Sequence, residues 1–450
     1  MIRGIGVRGA VAINAITMIG IGPLVTIPLV LASLHGSTAL WAWVVGGIVA
    51  LCDGLGYAEL GSLYPRSGGT YGFLRDGFGG GRIARGFAFV FVWQTVLSVP
   101  LLLASGYIGF AQYAAYLVPQ LSDPHAQSLV AAAVAVVTVL ALYRRIGAVA
   151  ATSVAFAGIA LFALVAVIAA AATHFSLAQA LSHDARVGLF PALAAGLGPA
   201  LVITLYDYAG YGAICNLGDE VLDPKRTLPR SVVIAILLVG ALYLALQVGV
   251  LGVVPWHELV PATPDGAAPP AAQYVAATVI ERTLGKAAAL VVTVLILITA
   301  FASTFGNLLA SARIPYAAAV DGAFLKPFAR LEKNGRFPSV SLVTIGALSI
   351  PACFFSLGDV ISALTAGLVI AANLAQLAAL VAVRARGIRA PYRMWLFPLP
   401  ALVAAAGWAY IFCSSGAKAI GFGLVTIVVG VVVFLIVERR RFATSRPGPA

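Results

Sequence analysis

Apolar runs of roughly twenty residues recur from one end of the chain to the other, and a soluble fold has no interior large enough to hide them all. They cover 11–33, 41–63, 84–118, 127–143, 147–173, 191–217, 229–253, 285–312, 339–356, 359–384, 393–414 and 417–438. A helix needs about 20 apolar residues to cross the hydrocarbon core of a bilayer, where every backbone N–H and C=O must find its partner inside the protein. The expected fold is therefore an all-α polytopic membrane protein with twelve transmembrane helices. Composition agrees: 61% of the 450 residues are hydrophobic and 10% are charged, against about 25% charged in soluble domains. A soluble enzyme, a disordered chain and a coiled coil are excluded. Run 84–118 is over-long and must tilt or protrude, while 127–143 is short. The break before 147–173 rests on Tyr143-Arg144-Arg145 and Gly147. No signal-peptide cleavage pattern precedes the first run, which reads as helix one.

Charge placement supports this count. The formal net charge is +12, a value that in a soluble protein would suggest nucleic acid. With twelve spans, however, 24 of the 28 Lys and Arg residues fall on the side of the N-terminus, and only Arg186, Arg282, Lys286 and Lys418 fall on the other. Cytoplasmic loops carry such an excess of basic residues. Both termini are thus expected in the cytoplasm of a cell membrane protein, with the lipid bilayer rather than nucleic acid as partner. The run Glu438-Arg439-Arg440-Arg441 reads as a topology anchor. Cys52, Cys215, Cys353 and Cys413 form no CxxC pair, so no zinc or redox site is expected. The two acids within spans, Asp53 and Asp207, are isolated with no histidine near them in sequence, which argues against a membrane-embedded enzyme, and no cofactor is expected; no phosphate-binding loop occurs, which argues against ATP-driven transport.

Two spans carry interruptions. Helix one contains Gly20-Ile21-Gly22-Pro23 at its midpoint, and helix six contains Tyr206-Asp207-Tyr208-Ala209-Gly210-Tyr211-Gly212. Gly disfavours a helix interior by about 1 kcal/mol and Pro by about 3 kcal/mol. Close packing explains either site alone. Their joint occurrence, as first members of two sets of five spans, points to a transporter binding site between two unwound segments. An opened helix frees N–H groups at the start of its second half, suited to a carboxylate, and carbonyls at the end of its first half, suited to an ammonium or a metal cation. The N–H groups of Ile21, Gly22 and Leu24 are candidates for the first role, since Pro23 has none.

Two acids lie within spans. Asp207 adjoins the helix-six interruption, where it can pair with a substrate ammonium or carry a coupling proton. Asp53, in helix two, is a second proton candidate, or else a hydrogen-bonded acid within the bundle. Ser303 and Thr304 offer oxygens to Na⁺, although such hydroxyls also bond back to their own helix.

Three longer motifs resemble the amino acid–polyamine–organocation superfamily. They are Tyr57-Ala58-Glu59-Leu60-Gly61-Ser62-Leu63-Tyr64-Pro65-Arg66-Ser67-Gly68-Gly69-Thr70-Tyr71 at the end of helix two, Gly218-Asp219-Glu220-Val221 with Asp223-Pro224-Lys225-Arg226-Thr227-Leu228-Pro229-Arg230 after helix six, and Ser311-Ala312-Arg313-Ile314-Pro315-Tyr316-Ala317-Ala318-Ala319-Val320-Asp321-Gly322 at the exit of helix eight. The resemblance covers roughly residues 10–440. It implies a leucine-transporter-like 5+5 inverted repeat plus two extra helices, and alternating access around a midplane site for an amino acid or related amine. On that pattern, 1–10 is a cytoplasmic N-terminus, 11–173 the first repeat, 174–190 an extracellular loop, 191–384 the second repeat, 385–438 helices eleven and twelve, and 439–450 a basic cytoplasmic tail. Tyr206 matches the position of a gating aromatic in arginine–agmatine exchangers, and Asn307 that of another pocket aromatic. Gly20-Ile21-Gly22 departs from the family's usual Gly-Ser-Gly by losing a hydroxyl, and Gly22-Pro23 is similar to polyamine-type members. Glu59 is expected in a gate or in an ion pair with an inside arginine. The lysine that some proton-coupled relatives carry on helix five has no counterpart in 147–173. The sequence thus reads as a secondary permease for an amino acid, with an amine carrier or a transport-like nutrient sensor as alternatives, and with H⁺ or Na⁺ as the possible coupling ion.

Overall fold

The computed structural model describes residues 4–66, 68–144, 149–184, 186–261, 269–332 and 337–444. The expected break at Arg145–Gly147, and the basic residues Arg3, Lys333, Arg336 and Arg446, lie outside these. Nineteen α-helices and no strand occur among the described residues. They are α1 Val7–Met18, α2 Gly22–Leu34, α3 Leu40–Leu63, α4 Thr70–Gly77, α5 Arg82–Leu117, α6 Pro124–Arg144, α7 Val149–Thr173, α8 Leu177–Ala180, α9 Leu189–Tyr208, α10 Pro224–Val253, α11 Pro270–Gln273 and α12 Val275–Leu284. There follow α13 Lys286–Ser311, α14 Arg313–Val320, α15 Ser339–Ala352, α16 Leu357–Leu368, α17 Ala375–Ala385, α18 Leu399–Ser414 and α19 Ala417–Thr444. Eight helical segments are long and apolar enough to cross a membrane. The pair α1 and α2, bent by 53° at its break, makes up to nine. Three shorter apolar helices, Gly158–Thr173, Ser339–Ala352 and Leu399–Ser414, complete the set among the described residues.

The 36 residues of α5 form one continuous helix, about 54 Å long at 1.5 Å per residue. That exceeds the roughly 30 Å hydrocarbon core, so α5 tilts or projects as its sequence implies. At the other extreme α19 presents most of its apolar surface outward, with 17% of its span buried, which suits a lipid-facing helix.

Small residues bring the central helices together. A Cβ on Gly54 of α3 would stand 2.6 Å from Ile236 and 3.0 Å from Val232 of α10. Beside this contact sits an aromatic knot. Trp43 of α3 is fully buried and donates its Nε1–H to Gln247 of α10 at 3.0 Å. Its carbonyl accepts from the Tyr208 hydroxyl of α9 at 3.1 Å. Tyr243 packs edge-on against Trp43, with ring centroids 5.4 Å apart, and its hydroxyl reaches the last carbonyl of α1, Met18, at 2.8 Å. The Trp43 Nε1–H and the Tyr208 and Tyr243 hydroxyls are buried at little cost because each meets an acceptor.

Charged pairs fasten the Lys/Arg-rich end. Arg75 of α4 bonds Asp321 at 2.8 Å. Arg384 of α17 meets Glu59 of α3 through two bonds, 2.9 and 2.6 Å long, and the Met394 N–H adds a third to the same carboxylate at 2.6 Å. Arg384 also lies over the Phe397 ring at 4.0 Å. The ion pair expected for Glu59 is therefore present. Because Glu59 is buried, removing one partner strands the other charge. Glu59→Ala or Arg384→Ala should each destabilise the protein by about 3–5 kcal/mol. The double variant should lose less than the two combined, as thermal unfolding in detergent would show.

Candidate functional site

The first break follows directly from its residues. Helix α1 stops at Met18, and Ile19 is extended at φ −77°, ψ 100°. Helix α2 restarts at Gly22 with Pro23 in its first turn, a position where the missing proline N–H is no loss. Among the described residues, the N–H groups of Gly20, Ile21 and Gly22 have no hydrogen-bond acceptor. A helix N-terminus in this condition favours an anion or an acceptor oxygen. The glycines also admit close neighbours. A Cβ on Gly20 would stand 3.2 Å from Ser303 Oγ, and one on Gly22 would collide with Asp207 Oδ1.

The second break differs from expectation. Span 191–217 was expected to be a helix interrupted at its midpoint, but α9 ends at Tyr208 and no α-helix resumes. Only single 3₁₀ turns follow, Ala213–Asn216 and Gly218–Glu220. Three glycines explain this. Gly210 adopts φ +117°, which L side chains avoid. Gly212 lies against the Tyr57 ring, and Gly218 against the Pro65 backbone, each too close for a Cβ. Gly210 itself touches the end of α1, where a Cβ would stand 3.0 Å from the Thr17 carbonyl. Asn14 of α1 accepts from the Ile214 N–H at 2.9 Å and so ties the turn to the broken helix.

Between the two breaks lies a cavity of about 160 Å³. Gly20, Ile21, Gly22, Tyr206, Asp207, Gly210, Ser303, Thr304 and Asn307 all line it. Asp207 is buried. Its Oδ2 accepts from the Thr26 hydroxyl at 2.6 Å, while Oδ1 has no partner among the described residues. Tyr206 fixes its hydroxyl on Ser105 of α5 at 2.7 Å. Asn307 donates to the Ser303 carbonyl at 3.0 Å. Thr304 bonds back to the Phe301 carbonyl at 2.9 Å.

Leu24 and Asp53 stand apart from this set. The Leu24 N–H is already bonded to the Ile21 carbonyl at 3.0 Å and its carbonyl to the Tyr113 hydroxyl at 2.9 Å. It belongs to the first turn of α2 and does not line the cavity, so its expected role as a donor is withdrawn. Asp53 lies behind the Gly210–Gly212 segment, bonded to Tyr211 at 2.6 Å. Sequence reading missed Thr17, Met18, Leu102, Gly106 and Ala209. The available signal was Ser105-Gly106 in mid-span: at Gly106 the α13 residue Thr304 approaches too closely for any side chain. A second cavity, about 200 Å³, opens near His35 and Asp184 at the far end of α2. None of the polar side chains lining it is both buried and unpaired among the described residues, so we assign it no role.

A family profile described as amino acid permease matches residues 5–444. The chain belongs to this family. Among curated proteins, the serine/threonine exchanger SteT of Bacillus subtilis is 23% identical over 98% of both chains. Cationic amino acid transporter 4, vacuolar, of Arabidopsis thaliana is 26% identical over 77% of this chain and 57% of its own length. The inner membrane transport protein YbaT of Escherichia coli is 27% identical over 57% of each. The chain thus spans a little over half the length of several of the curated relatives it matches. Membership makes this an integral membrane protein of a transporter family rather than an enzyme family.

The glycine at the α2 N-terminus of this permease provides a direct test of the site. Gly22→Leu forces a carbon against Asp207 Oδ1, so any solute that binds in this cavity should bind at least about 100-fold more weakly, a loss equivalent to ~2.7 kcal/mol. Insertion and monodispersity should persist. Thermal-shift titration against the twenty amino acids checks this, and wild-type affinity would remove the cavity from consideration.

Proposed function

We propose that the protein is a secondary transporter that moves an amino acid across the cell membrane by alternating access, with the substrate held between the helix breaks. The observation that carries this reading is the meeting of opposite unmet needs in one cavity. The free N–H groups of Ile21 and Gly22 suit a carboxylate, and the unpartnered Oδ1 of Asp207 beside them suits an ammonium. An α-amino acid carries both groups on one carbon. Tyr206 flanks the same space, consistent with a ring that covers bound substrate.

Nine longer and three shorter apolar helices support twelve spans. The two breaks, five spans apart and facing one cavity, support inverted repeats over 11–173 and 191–384, followed by 385–438. In this scheme the Lys/Arg-rich end, with both termini, faces the cytoplasm, and 174–190 is extracellular.

A second reading, an amine without a carboxylate, is favoured by one feature: Asp207 places negative charge beside the α2 N-terminus. The two readings separate experimentally. Asp207→Asn should abolish uptake of amino acids into proteoliposomes, or its pH dependence, while expression persists. Unchanged kinetics and pH profile would remove Asp207 from the mechanism. Wild-type protein should bind amino acids at least about tenfold (~1.4 kcal/mol) more tightly than their decarboxylated amines if the N–H groups hold a carboxylate. Equal binding would favour the amine carrier.

A further inference from the structure

Asp53 is a second buried carboxyl that the cavity does not use. It lies in mid-span on α3 and is fully buried. Its Oδ2 accepts from the Tyr211 hydroxyl at 2.6 Å, and Oδ1 has no partner among the described residues. The neighbouring elements bring no cation to it. Helix α10 presents Val232 and Ile236 beside Gly54, and α18 brings the Trp408 indole N–H, a neutral donor, towards the carboxyl. Helix α3 contributes Cys52 and Tyr57, and the helix-six segment contributes Tyr211. Further along α3, Glu59 is already paired with Arg384. A carboxylate buried without a cation is unfavourable by several kcal/mol. An uncharged amide oxygen would accept from Tyr211 without that penalty, so the property peculiar to Asp53 is the ability to take and release a proton.

The location links that property to the binding cavity. Tyr211 lies between Gly210, whose backbone lines the cavity, and Gly212, which is wedged against Tyr57 with 2.7 Å from a Cβ to the ring. The Tyr211 side chain thus anchors the far side of the segment that borders the cavity. A hydrogen bond to an ionised acceptor is roughly twice as strong as a neutral one. Ionised Asp53 holds the segment against α3, and its protonation loosens that hold. A polar series continues from this point towards the Lys/Arg-rich end. The Tyr57 ring stands 5.6 Å from that of Tyr211. The Tyr57 hydroxyl accepts from Thr70 at 3.2 Å, and Thr70 also reaches Gln376 at 3.4 Å.

We infer that Asp53 is a proton-binding site, separate from the substrate cavity, through which proton binding drives movement of the Gly210–Asn216 segment and hence net substrate transport. This rests on the transport reading above. The proton is taken from water by the Asp53 carboxylate and returned to water, with no other reactant. Asp53 acts on the cavity through Tyr211 and is a positioning residue.

Purified protein in liposomes containing the pH dye pyranine, challenged with an equimolar mixture of the twenty amino acids, provides the test. Exchange is measured separately as counterflow of the labelled mixture at symmetric pH. Wild-type protein should acidify the lumen when the mixture is added. Asp53→Asn should reduce that proton influx at least about tenfold (~1.4 kcal/mol), while counterflow stays within about twofold (~0.4 kcal/mol). Tyr211→Phe should lower proton influx relative to counterflow, and it decides the matter if Asp53→Asn fails to fold. Wild-type counterflow without proton influx would overturn the inference and leave the transport reading standing. So would variants that keep wild-type influx, or that lose influx and counterflow together. Absence of counterflow in wild-type protein would overturn both.

Discussion

A peptide group inside a bilayer has no water to turn to, and this protein opens its backbone at two places where that rule applies. What surrounds the openings follows from it. The last carbonyl of α1 is met by Tyr243. The turn after α9 is met by Asn14. The aromatic knot of Trp43, Tyr208 and Tyr243 holds α3, α9 and α10 in the places from which those partners reach. Among the described residues the N–H groups of Gly20, Ile21 and Gly22 find no such partner, and these three residues line a cavity. Donors left free beside a cavity act as a recognition surface.

The buried carboxyls show the same logic in charge. Glu59 has a bidentate arginine and a backbone N–H, and its pair closes a structural contact between α3 and α17. Asp207 bonds one threonine and Asp53 one tyrosine, with the Trp408 indole near the latter, and in each the other oxygen makes no hydrogen bond within normal geometry among the described residues. A fully satisfied ion pair is rigid. A half-satisfied carboxyl is open to a second partner, such as a proton or an ammonium. On the reading proposed above, those two free oxygens serve different partners on opposite faces of one short segment, 209–212, whose glycines let it lie close to α1 on one side and α3 on the other.

Much of this is legible in the amino-acid sequence. Hydrophobic run length is a one-dimensional property, so the helical membrane architecture and even the unusual length of α5 follow from the sequence. Gly20-Ile21-Gly22-Pro23 predicts a break because proline and glycine act locally on their own backbone. The same locality explains the failures. Whether the second break would resume as α-helix depends on how closely Tyr57 and Pro65 approach Gly212 and Gly218, and those contacts span more than 150 positions of the chain. Leu24 looked like a free donor because the i−3 bond to Ile21 is a conformational choice of the first turn, invisible in residue order.

The sequence by itself determined that this chain lives in lipid, where its first helix breaks, and which polar residues are carried into the membrane. Each depends on the chemistry of neighbouring residues alone. Only the tertiary structure decided that Asp207 stands against Gly22, that Thr304 fits beside Gly106, and that Asp53 lies behind the cavity rather than in it. The reason is geometric. A glycine marks a place where something can come close, but which atom arrives is set by how the helices pack.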